Sequence, residues 1–78
     1  MLQQVRLAGY RGVTSLEIEL RTGLGHGMVS GPLSALHKDH VIAKLKETRA
    51  HYGVYVLPEY VHGRATVEHR QNRLTPES

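Results

Sequence analysis

Val5-Arg6-Leu7-Ala8-Gly9-Tyr10-Arg11-Gly12-Val13-Thr14-Ser15-Leu16-Glu17-Ile18-Glu19-Leu20 is the stretch whose period decides the fold. Val5 and Leu7 flank Arg6, and Leu16, Ile18 and Leu20 alternate with Glu17, Glu19 and Arg21. Alternation of apolar and polar residues is the signature of a half-buried strand. It predicts strands over roughly 2–8 and 15–21, joined through the Gly9-Tyr10-Arg11-Gly12 turn into a hairpin.

Downstream, four glycines at 23, 25, 27 and 31 mark a loop, with Met28 and Val29 as a short extended piece inside it. A long helix is expected next. Pro32 suits its first turn and Gly53 its stop, and no Gly or Pro lies between Leu33 and Tyr52. At 100° per residue Val41, Ile42, Leu45 and Tyr52 share a core face, while His37, His40, Lys44, Glu47 and His51 form a polar stripe. Val54-Tyr55-Val56-Leu57 reads as a strand, and Tyr60 to Val67 as one or two further strand pieces around His62-Gly63. The expected fold is α+β: a small antiparallel sheet with one long helix in ββαββ order. Residues 1–69 form a single domain and 70–78 a polar tail.

Composition narrows the function. Seventy-eight residues without cysteine, phenylalanine or tryptophan leave a light aliphatic core and no disulfide or thiolate site. A chain this small gains buried surface by self-association, so a homodimer is expected. No apolar run is long enough to span a membrane and no export signal is visible, which makes the cytoplasm the expected location. The formal charge of +3 rises further when the six histidines protonate, which favours anionic partners.

The glycine run before a helix resembles a phosphate loop in order. A working P-loop needs Gly-Lys-Ser/Thr, and here Ser30-Gly31-Pro32 has neither the lysine nor the full set of amide donors. The reading is therefore a connection between hairpin and helix. His37-x-x-His40 is at a metal-pair spacing, but no third ligand is demanded by spacing, so no metal or other cofactor is expected. Serine, histidine and carboxylate residues fit no recognised catalytic spacing, and the chain is expected not to be an enzyme.

The residues Val5-Arg6-Leu7, Tyr10-Arg11-Gly12-Val13, Ser15-Leu16-Glu17-Ile18-Glu19-Leu20 and Gly23-Leu24 together resemble the opening hairpin of RecF- and SMC-type ATPase heads. The likeness covers about the first 24–32 residues and departs at the Walker lysine; it implies a hairpin relic without ATPase activity. Leu16-Glu17-Ile18-Glu19, Gly23-Leu24, Val29-x-Gly31 and Arg64-x-Thr66-Val67 are similar in order to the N-terminal domain of the ComM, magnesium-chelatase-like family, with a different spacing between glycine and helix.

What remains is a cationic surface. His37, Lys38, His40, Lys44, Lys46, Arg49 and His51 on the expected helix, with Arg64, Arg70 and Arg73 beyond it, are the candidate contacts for an anionic partner. The leading expectation is a non-enzymatic basic binding module, an accessory or regulatory protein that contacts an acidic protein surface. Direct nucleic-acid binding by the basic helix is the first alternative, and a degenerate P-loop fragment the second.

Overall fold

The computed structural model describes residues 1–68. The fold is a small α+β domain whose sheet is antiparallel, as expected, but the order is three helices followed by three strands and not ββαββ. The helices are α1 (Leu2–Ala8), α2 (Ser15–Thr22) and α3 (His26–Lys38); the strands are β1 (Ala43–Arg49), β2 (Tyr52–Val56) and β3 (Thr66–Val67).

Both segments read as an N-terminal hairpin are helical, and the cause is local. Thr14 caps α2 by accepting from the Glu17 amide, and the Thr14 amide donates to the Glu17 carboxylate, both at 3.1 Å. This reciprocal box satisfies two of the amides a helix start leaves orphaned. At the other end Gly23, at φ 76°, accepts a left-handed conformation and donates its N–H to the Glu19 carbonyl. Between these stops the helix formers Leu16, Glu17, Glu19, Leu20 and Arg21 cost little to wind. The alternating triplet is thereby split: Ile18 is fully buried, Leu16 is half-buried and Leu20 is 78% exposed.

The expected helix over 33–52 is also corrected. Helix α3 begins at His26 and ends at Lys38, and His40 at φ 61° reverses the chain. Ala43–Arg49 is rich in helix formers yet lies in β1, because pairing with β2 satisfies its backbone and buries Leu45. Here packing overrides propensity. The Met28-Val29 piece expected to be extended is inside α3, where Val29 is fully buried.

Strand order is β2-β1-β3, and Val13 adds a bridge to Tyr55 on the outer side of β2, with N–H···O distances of 3.0 and 2.8 Å. Gly12 makes that bridge possible. It sits at φ 75°, and a Cβ there would lie 2.5–2.7 Å from Val54, Val56 and the Tyr55 carbonyl. Two apolar clusters follow. Val5, Val13, Ile18, Val29, Leu33 and Ile42 join the three helices. Leu45, Val54 and Val56 pack with Ala43, Tyr60 and Val61, and Arg64 closes this end by lying 3.8 Å over the Tyr10 ring.

Candidate nucleic-acid interface

Helices α2 and α3 are joined by only Gly23-Leu24-Gly25. Val29 and Leu33 hold α3 against the core, and both are fully buried. Counting at 100° per residue, Gly27, Gly31, Ser34, Ala35 and Lys38 fall on the opposite side, and all are exposed. Met28, at the edge of this stripe, is 63% exposed. Pro32 inside the helix removes one amide, so the Met28 carbonyl has no i+4 donor. The outward face is thus nearly smooth, free of carboxylates and tipped by one lysine.

Directly after α3 comes the β1–β2 hairpin. Arg49 pairs with Tyr52, leaving Ala50 and His51 as a two-residue turn, and both have positive φ, 55° and 71°. Positive φ at both central positions defines a type I′ turn. His51 stands at its exposed tip.

The hairpin is anchored to the start of α2. Arg49 donates from Nε and an Nη to both oxygens of Glu17, each at 2.9 Å, and reaches the Gly12 carbonyl at 2.9 Å. The Arg49 hydrogen bonds, chiefly, hold the Glu17 carboxyl below its ordinary value. A second anchor lies at the entrance to α3, where His26 Nδ1 and a Glu19 oxygen are 2.7 Å apart.

The expected histidine-lysine stripe does not form, because its members lie on different elements. His37 is buried in α3, with Nε2 donating to the Val67 carbonyl at 2.9 Å and its ring edge-on to Tyr55. His40 lies in the turn after α3. Lys44 is half-buried in β1 with its ammonium 5.7 Å from the Tyr55 ring, an environment whose burial also pushes the Tyr55 hydroxyl up. Arg49 is committed to Glu17, and Arg64 to the Tyr10 and Tyr60 carbonyls and to Glu47 at 3.6 Å. Lys38, Lys46, His40 and His51 remain exposed. Arg70 and Arg73, with the polar tail expected over 70–78, lie outside the described residues. Among the described residues no three histidine, aspartate or glutamate side chains gather around a metal-sized site, and no helix is long and apolar enough to cross a membrane.

The residues that sequence reading passed over are those of the α3 outer face other than Lys38. Thr14-x-x-Glu17, a capping-box spacing, was the signal that would have found them, since it turns the glycine loop into an interhelical turn. No family model, curated protein or solved structure matches the chain.

Proposed function

We infer that the protein binds double-stranded DNA, with α3 in the major groove and the β1–β2 hairpin against the adjoining backbone. The observation that carries this reading is the pair α2–α3, joined by a three-residue glycine turn, with an exposed small-residue face on the second helix. Helix-turn-helix modules have this connection and present their second helix to the major groove. A groove about 12 Å wide admits an α-helix, and Gly27, Gly31, Ser34 and Ala35 let the helix backbone approach the bases closely.

The reading assigns a non-enzymatic role. Lys38 and Lys46 supply phosphate contacts, with His51 at the hairpin tip. Arg49 and Arg64 act as structural ties that hold the hairpin in place, since their guanidinium groups are spent within the fold.

Selection from a random duplex library, followed by titration of the winning sequence at several salt concentrations, tests the proposal. Affinity should fall linearly in a log–log plot against salt, by about 0.9 for each phosphate contact. Ser34→Glu places a carboxylate on the exposed face without touching the core. It should abolish binding and leave the circular dichroism spectrum unchanged. Failure to enrich any duplex, or equal binding by Ser34→Glu, would sink the proposal.

A further inference from the structure

Between α1 and α2 runs an open concavity of about 680 Å³ that the DNA-binding reading does not use. Its walls carry Leu7 and Leu20, which are 68% and 78% exposed. Leu24 and Met28, near the α2–α3 turn, are exposed as well, but they do not line this concavity. Ala8, Gly12 and the exposed Arg11 and Arg21 line it as well. Two exposed leucines lining one concavity place apolar surface together, and it is grouped apolar surface that marks interaction sites.

Two guanidinium groups and one carboxylate line the groove. Arg21 is steadied across the helix seam by donating to the Gln4 side-chain oxygen at 3.0 Å. Neither Arg11 nor Arg21 makes an ion pair among the described residues. Glu17 is the one carboxylate at the groove among the described residues, and both of its oxygens already accept from Arg49. An occupant therefore meets apolar walls and two guanidinium groups.

We propose that this groove docks a short amphipathic helix of a partner protein, with leucine-like side chains inward and carboxylates over Arg11 and Arg21. An amphipathic helix laid in a hydrophobic groove is a recurrent mode of recognition, and arginine forks suit carboxylates. A second copy of this chain is a poorer occupant, because a two-fold contact would bring Arg11 and Arg21 against their own copies. A phosphate backbone is poorer still, because it offers nothing apolar to cover Leu7 and Leu20. Protein contact with an acidic surface thus returns as a role, on residues of α1 and α2 in place of the expected stripe.

The test is a phage-displayed library of random 16-residue peptides selected against the intact protein. Enriched peptides should combine Asp or Glu with Leu, Ile, Phe or Met. Synthetic copies should lose at least tenfold in affinity toward both Leu7→Ser/Leu20→Ser and Arg11→Glu/Arg21→Glu. Duplex-DNA binding by Leu7→Ser/Leu20→Ser should stay unchanged, which keeps this proposal separable from the one on α3. No enrichment, enrichment of peptides without acids, or peptide affinity indifferent to both double variants overturns it. So does a dimer in sedimentation that the leucine variant dissolves, which would make a second copy the occupant. A tenfold loss of DNA affinity in the leucine variant would assign the groove to nucleic acid instead.

Discussion

Replacing Ala50 by Asn and His51 by Gly should stabilise the protein. Both positions have positive φ, 55° and 71°, in a two-residue turn closed by the Arg49–Tyr52 pair. A left-handed backbone costs an ordinary L-residue about 1–2 kcal/mol through the clash of Cβ with the carbonyl oxygen. Asn tolerates that region and Gly is indifferent to it, which is why Asn-Gly dominates such turns. Taking about 1 kcal/mol at each site and subtracting about 0.5–1 kcal/mol for the extra unfolded-state freedom of glycine leaves a net gain of about 1–1.5 kcal/mol. For a domain of this size that raises Tm by about 4–12 °C. Thermal denaturation followed by circular dichroism reads the change, and Ala50→Val supplies the opposite sign, since a branched Cβ fits this region worst. A Tm that stays put or falls in the Ala50→Asn/His51→Gly double variant would refute the reasoning. The single changes also separate strain from function. Ala50→Asn should raise Tm and leave DNA affinity alone, whereas His51→Gly should leave Tm level or slightly raised and weaken binding, because strain of this kind is retained where a side chain at the turn has a role.

The remaining predictions concern the α2 anchor and the α3 face. Glu17→Gln keeps the capping box but removes the carboxylate that Arg49 holds, so Tm at neutral pH should fall by a few degrees, about 0.5 kcal/mol once solvent screening is counted. Because the pair lowers the Glu17 value, its contribution is full above the ordinary carboxylate range and is lost as pH falls through the depressed one; melting curves of the two proteins should converge in strong acid. On the proposed DNA-binding reading Met28, exposed at the edge of the α3 face, packs against a thymine methyl, so Met28→Ala should weaken binding to the selected duplex about fourfold, the worth of about one buried methyl group. In the parent protein, deoxyuridine in place of one thymine should cost the same factor, and Met28→Ala should no longer notice that exchange; persistent discrimination would remove Met28 from the readout.

The parts of this fold that were legible in sequence are those where a single physical signal acts alone. Val54-Tyr55-Val56 is β-branched and aromatic throughout and lies in β2. The misread parts are those where two signals compete. Leu16, Ile18 and Leu20 alternate like a strand, yet Thr14-x-x-Glu17 and Gly23 fix both ends of a helix around them, and end effects govern so short an element. Leu20 points away from the core, so counting it as a core position produced the false period. The long-helix reading failed for the converse reason. Residues 41–49 carry helix propensity, but His40 reverses the chain and only the hairpin partner decides the state of β1. The expected contact residues are divided by the fold: Arg49 and Arg64 are spent within it, while Lys38 and Lys46 remain at the surface.

That division decides where the net charge of +3 is exposed. Glu17 and Glu47 pair with Arg49 and Arg64, and a Glu19 oxygen lies 2.7 Å from His26 Nδ1. Helix α3 itself contains no Asp or Glu over its 13 residues. Glu17 and Glu47 are therefore compensated in place, Asp39 at the end of α3 has no ion pair among the described residues, and the cations without an ion-pair partner among them include Arg11, Arg21, Lys38 and Lys46. Local fields at a surface follow these uncompensated groups within a Debye length of about 8–10 Å, and the sum over the chain matters little at that range. Arg11 and Arg21 line the concavity between α1 and α2, Lys38 ends the exposed face of α3 and Lys46 is exposed on β1, so the two proposed contacts draw on different cations.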